Sequence, residues 1–206
     1  MSKLFTAHNL VLIAMLSALA FILMFFEFPL PFLAPSFYEL DFSELPVLIG
    51  TFSMGPVAGV IIEALKIVPK LLFKGTSTAY VGDLDNFIVG CAFILPAGII
   101  YKYNHTRKGA LLGMVAGTFF LLVFGAIVNA TILLPWYAEN FFGGMEPILE
   151  AGRAIWGAID SVWMFAILIV VPSNLLKGVL VSIVTLLVYK HVNKLINATL
   201  KKNVKK

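Results

Sequence analysis

Residues 109–138 run for thirty positions without a charged side chain. At ~1.5 Å per residue a helix of that length reaches about 45 Å, more than the ~30 Å hydrocarbon core of a bilayer. The segment is therefore a membrane helix, tilted or overlong, and the spacing ends it near Pro135. The rest of the chain agrees. Charged residues make up 13% and hydrophobic residues 60%, against about 25% and about 45–50% in soluble domains. Too few charges remain to build a water-facing surface, and the apolar content excludes disorder. The 206 residues suit one domain, 1–206, folded as an all-α membrane bundle.

Punctuation divides the remaining apolar sequence. Residues 10–26 form an uncharged run of 17, read as a retained first helix rather than a cleaved signal. Residues 45–62 are interrupted by Gly50 and Gly55-Pro56. A short helix over 45–54 and a new one over 56–73 follow, because proline lacks a backbone donor. Residues 86–101 make another span with Pro96 inside it. A last helix over 173–195 is expected just after Pro172, leaving 139–171 as a connection with an interfacial helix near Trp156 and Trp163. The sum is a six-transmembrane-helix bundle.

Charge asymmetry orients it. Lys3, then Lys102, Arg107 and Lys108, then Lys190, Lys194, Lys201, Lys202, Lys205 and Lys206 lie in segments without acids. The first long loop holds Glu27, Glu39, Asp41 and Glu44 without a base. Excess Lys and Arg mark the cytoplasmic side. Both termini are therefore expected inside, and the loop between helices 1 and 2 outside as an extracellular lid. The placement of the bases accounts for the net charge of +4 without nucleic acid.

Polar groups inside a membrane bundle are costly, so each is a candidate site. Asp83, Asp85 and Asn86 open the fourth helix, Asn129 lies deep in the fifth, and Asn174 and Lys177 share a face at the start of the sixth. Asp83 reads as an N-cap or as a ligand contact. Asp85 reads as complementing the helix dipole. Asn129 bonds to a neighbouring helix or to a ligand. Lys177, flanked by apolar residues, is assigned to function. Lys66, Lys70 and Lys74, at four-residue spacing, form one stripe with Glu63 beside it. They are read as snorkelling lysines with an intrahelical pair, the alternative being a seat for an anion.

No catalytic or metal-binding motif is present: no His-Glu-x-x-His, no Gly-x-Ser-x-Gly, and no phosphate-binding loop. Cys91 is alone and mid-helix. The chain is read as no enzyme, with no ATP site of its own. Small-residue strips at Gly55–Gly59, at Gly109, Gly113 and Gly117, and at Ala14–Ala18 allow close helix packing or docking to another membrane subunit.

Taken in order, NLVLIAMLSALAFIL, DFSELPVLIGTFSMGP, VGDLDNFIVG, VNATILLP and PSNLLKG resemble the substrate-binding S components of energy-coupling-factor (ECF) vitamin transporters, of the riboflavin type. The resemblance covers nearly the whole chain. It implies a six-helix bundle in the cell membrane with a vitamin pocket near the outer face. It also implies a partner complex of one membrane coupling subunit and two cytoplasmic ATPases. Its docking alanines fall on Ala14 and Ala18, and its ligand contacts on Asn129, Asn174 and Lys177, with Asp83 and Asn86 mapping less securely. From the lid, Asp41, Phe42 and Leu45 join the set, Phe42 and Leu45 covering the apolar ring. Riboflavin suits these side chains, because an amide offers both donor and acceptor to a ring edge and hydroxyls. FMN and thiamine are the alternative ligands, and a pocket lysine disfavours cationic thiamine.

Overall fold

A computed structural model describes residues 5–76 and 79–204, with side chains described to residue 188. Lys3, Lys205 and Lys206 lie outside the described residues, as do the side chains of Lys190, His191, Lys194, Lys201 and Lys202.

Helix α1, Ala7–Phe25, starts at Thr6, whose hydroxyl accepts from the Asn9 amide. A loop folded as a two-stranded antiparallel hairpin follows, β1 (Phe28–Pro29) against β2 (Glu39–Leu40), with Phe28 opposite Leu40. Helix α2 is Glu44–Met54 and α3 is Pro56–Phe73, hinged at Gly55 with φ of 98°. That positive φ suits glycine and fixes the break where Gly55-Pro56 placed it. Helix α4, Val81–Tyr103, continues through Pro96.

The long run becomes α5, Arg107–Asn140, capped by the Thr106 hydroxyl accepting from Gly109 N–H. Short α6, Glu146–Arg153, buries Ile148, Leu149 and Gly152. Helix α7 covers residues 162–204, with its apolar part at Val162–Val188.

Two boundaries differ from the sequence expectation, for one reason. α5 passes through Pro135, and α7 begins eleven residues before 173 and passes through Pro172. A proline ring collides with the carbonyl four residues back, here Thr131 and Leu168. Both carbonyls sit in wide π-turns, Asn129–Leu133 and Ala166–Val170. The extra residue per turn makes room for the ring, so the helix goes on. Trp163 accordingly lies in the first turn of α7, not on an interfacial connection, while Trp156 stays in the loop after α6.

Among the described residues, four helices are long and apolar enough to cross a membrane: Ala7–Phe25, Val81–Tyr103, Arg107–Asn140 and Val162–Val188. Their outward faces carry large apolar side chains such as Met15, Leu112, Val115 and Phe119. In water such a girdle would aggregate; against lipid it is matched. The tightest seam joins α4 to α5. A side chain at Gly113 or Gly117 would strike the Ala97 or Phe93 carbonyl, so these glycines serve internal packing. Ala14 and Ala18, by contrast, are exposed on α1.

Candidate functional site

At the end where α1 and α3 finish and α2 and α4 begin, the hairpin closes over a cavity of about 170 Å³. Met24, Phe37, Val89, Leu121, Leu133 and Tyr137 supply apolar wall. Asp41, Asp83, Asn86, Asn174 and Lys177 line it as well, so five sequence candidates converge from the loop, α4 and α7. Asn174 and Lys177 are three residues apart on α7 and share its inward face.

Asn129 does not line the cavity. It is fully buried in the π-turn of α5 and donates from Nδ2 to Asp85 Oδ1 at 3.3 Å, and Asp85 does line it. Phe42 and Leu45 are half-buried and pack on the main apolar core rather than on the cavity; Phe42 also meets Phe28, ring centroids 6.2 Å apart. Hairpin aromatics reach the cavity through Phe37 and Tyr38 instead.

The lysines are held by acids. Lys177 Nζ donates to Asp41 Oδ2 at 3.1 Å and to Glu44 Oε1 at 3.5 Å. Lys70 pairs with Asp83 at 2.5 Å. Asp83 is thus inside α4 and bound to α3, not its N-cap; Tyr80 occupies that position. Lys74 pairs with Glu27. Lys66 is wholly buried between Glu63, at 2.7 Å, and Glu44, at 2.9 Å. The expected intrahelical pair, Glu63 with Lys66, is present, but the stripe neither snorkels nor waits empty for an anion: each member also ties α3 to the loop, to the start of α2 or to α4. In the loop, burial alone would raise the Asp41 carboxyl. The Lys177 and Lys66 ammoniums and two hydrogen bonds from Ser43 outweigh it and hold Asp41 below the usual carboxylate range. Asp41 therefore stays ionised beside Lys177.

Four buried atoms on residues lining this cavity lack a hydrogen-bond partner: Glu44 Oε2, Asp83 Oδ2, Asn86 Oδ1 and Asn174 Nδ2; Asn129 Oδ1, behind the wall, lacks one too. An unsatisfied buried polar atom costs about 1–3 kcal/mol. Their concentration around one small cavity is what a site prepared for a polar molecule looks like: one acceptor and one donor from amides, and two carboxylate oxygens.

The chain matches the profile of the ECF transporter substrate-specific component over residues 8–189. It belongs to that family. Riboflavin transporter RibU of Staphylococcus aureus (strain TCH60) is 37% identical over 188 residues, covering 89% of each chain. Riboflavin transporter FmnP of Bacillus subtilis (strain 168) is 32% identical, over 88% of this chain and 90% of that protein. A solved structure described as "Structure and mechanism of the S component of a bacterial ECF transporter" superposes with a TM-score of 0.70 at 34% identity, covering 91% of this chain and 96% of that one. The substrate-specific component is a multi-pass membrane transport protein, not an enzyme.

For a substrate-specific component, the sequence reading missed Asp85, Glu27, Tyr38, Lys70 and Glu44 as cavity residues. The α4 wall was legible by period: Gly82, Asn86 and Gly90 recur every four residues, with Asp85 and Val89 alongside. Gly90 is there because a side chain would collide with the Glu63 carboxyl. No spacing rule would have brought Tyr38 and Glu44 to one cavity with Lys177, since that depends on how the hairpin folds back.

Proposed function

We propose that this chain is the riboflavin-binding component of an ECF importer, a single membrane domain of six spans, α1 to α5 and α7. Both termini face the cytoplasm and the hairpin forms an extracellular lid. The carrying observation is the set of four unpartnered buried atoms on Glu44, Asp83, Asn86 and Asn174, all lining the cavity. The amides match the donor and acceptor edge of a flavin and its ribityl hydroxyls, while Phe37, Tyr38 and Tyr137 suit its flat ring. The names of the relatives, both riboflavin transporters, support the same ligand.

With the hairpin closed, about 170 Å³ is below the ~300–1,000 Å³ usual for small-molecule sites. Riboflavin entry therefore requires the hairpin to swing outward and close again over the ring. Release on the inner side follows docking of α1, through Ala14 and Ala18, on the membrane coupling subunit, driven by two cytoplasmic ATPases. At the cavity Asp83 and Glu27 are paired with Lys70 and Lys74, and Glu39 has no ion pair among the described residues, so the phosphate of FMN meets the Glu39 carboxylate and binds more weakly than riboflavin.

The test is a fluorescence titration of riboflavin with the purified chain in detergent. Saturable quenching, competed weakly by FMN and not by thiamine, is expected. Competition by thiamine equal to that by riboflavin would overturn the ligand assignment. For docking, Ala14→Trp is expected to stop uptake in cells carrying the whole transporter while leaving quenching intact; normal uptake removes the α1 surface from that role.

A further inference from the structure

Asp41, Glu44 and Lys177 of the cavity wall continue inward into a buried ion cluster whose deeper members lie behind that wall. Lys66 Nζ sits between Glu63 Oε1 at 2.7 Å and Glu44 Oε1 at 2.9 Å, and donates to Ser43 Oγ at 2.9 Å. Lys66, Glu63 and Ser43 are each 0% exposed, and none lines the cavity. The oxygen that holds Lys66, Glu44 Oε1, is also an acceptor for Lys177. Asp41 completes the chain, taking Lys177 on Oδ2 and the Ser43 amide on Oδ1 at 2.6 Å. Three carboxylates thus share two ammoniums, and only Lys177 of the two faces the cavity.

The consequence is positional. Glu44 opens α2 and Ser43 and Asp41 end the hairpin arm, so Lys66 binds the root of the lid to α3. If Lys66 lost its charge, Glu44 would face Glu63 uncompensated and would draw more of Lys177 toward itself. Two carboxylates competing for one ammonium pull it away from the ligand side. We propose that Lys66 is a positioning residue for substrate binding: it neutralises Glu44 and Glu63 so that Lys177 stays poised at the cavity. This rests on the riboflavin-binding reading above.

The experiment is a double-mutant cycle on riboflavin affinity, with purified full-length protein and fluorescence quenching as readout. Lys66→Met keeps the length of the side chain and removes the charge; Lys177→Met removes the ligand-side ammonium. Lys66→Met alone is expected to weaken riboflavin at least tenfold. In the Lys177→Met background the same change is expected to cost less than twofold, because the group through which Lys66 acts is gone. A packing role would give equal losses in both backgrounds, and equal losses overturn the proposal, as does an unchanged affinity in a folded Lys66→Met protein.

Should Lys66→Met fail to give a monodisperse protein, Ser43→Ala takes its place, since it removes the oxygen that accepts from Lys66, with its own bond to Asp41, and leaves the Ser43 amide on Asp41. A threefold or greater loss confined to the Lys177 background is expected; no loss, or the same loss in both backgrounds, overturns the idea. Wild-type protein that never quenches riboflavin removes the ligand reading and this inference together. Wild-type protein that quenches normally, with an additive cycle, removes only the role of Lys66.

Discussion

Along the α4–α5 seam, Gly113 and Gly117 bring one backbone against the Ala97 and Phe93 carbonyls of the next, and neighbouring core side chains such as Met114 and Ile94 are wholly buried and apolar. At the hairpin end the same helices part around a cavity, and Asp41, Glu44, Glu63 and Lys66 are buried there instead. Around Gly113 and Gly117 the seam loses nothing by being closed: what meets there is backbone and apolar side chain. The hairpin end keeps four polar atoms unpaired and holds ammoniums between carboxylates, an arrangement that apolar packing would often match or exceed for stability alone. The seam is closely packed, and the proposed recognition site lies where the fold tolerates a local cost.

That contrast is broken most forcefully at the seam. Gly117→Leu places a Cβ against the Phe93 backbone oxygen, which cannot move without shifting α4. A loss of about 3 kcal/mol, at the upper end for an overpacked core, is expected as a lower melting temperature in detergent. Riboflavin affinity of the folded fraction should stay within twofold. A large affinity loss with an unchanged melting curve would place the seam in the binding machinery and dissolve the distinction.

The reverse outcome is expected at Asn174. Its Nδ2 makes no hydrogen bond of normal geometry and, among the described residues, approaches the Tyr38 hydroxyl of the hairpin, so Asn174→Ala removes little that the scaffold uses. Riboflavin affinity should fall about tenfold, equivalent to about 1.4 kcal/mol, with the melting temperature of the ligand-free protein unchanged or slightly raised. Titration and thermal unfolding on the same preparation separate the two readings. A lowered melting temperature with intact affinity would make Asn174 part of the scaffold.

How much of this was legible follows the same division. The α2–α3 break at Gly55-Pro56 and the length of α1 are local matters, written in proline, glycine and uncharged runs, and they were readable to within a few residues. The end of α5 and the start of α7 were not, because Pro135 and Pro172 read as terminators unless the π-turns before them are known. Ser161, whose hydroxyl accepts from Met164 N–H, was the available signal for the true start of α7. At the site, Asp41, Asn174 and Lys177 stood out because polar groups are scarce in a membrane sequence. Glu44 and Lys66 did not, because their roles are set by contacts 22 residues apart in the chain. The lysine stripe was seen as a pattern and misread as a surface, since spacing alone cannot say that α4 and the hairpin cover it.

The stripe also supplies the smallest effect, and the one that sharpens the comparison most finely. Side-chain exposure rises along α3 from 0% at Lys66 to 11% at Lys70 and 38% at Lys74. Water screens a pair more as it emerges, and exposed pairs contribute roughly 0–1 kcal/mol. Lys74 pairs with Glu27 and lies 5.8 Å from the centre of the Phe25 ring, at the rim where α1 turns into the hairpin. Lys74→Gln retains most of the side chain and can still donate to Glu27. Riboflavin affinity should therefore change less than twofold, and any change should vanish at high salt, where an exposed pair is already screened. A salt-independent loss as large as that expected for Lys66→Met would mean that the rim grips the ligand as firmly as the buried cluster. Depth in the bundle would then no longer decide which lysine of the stripe matters.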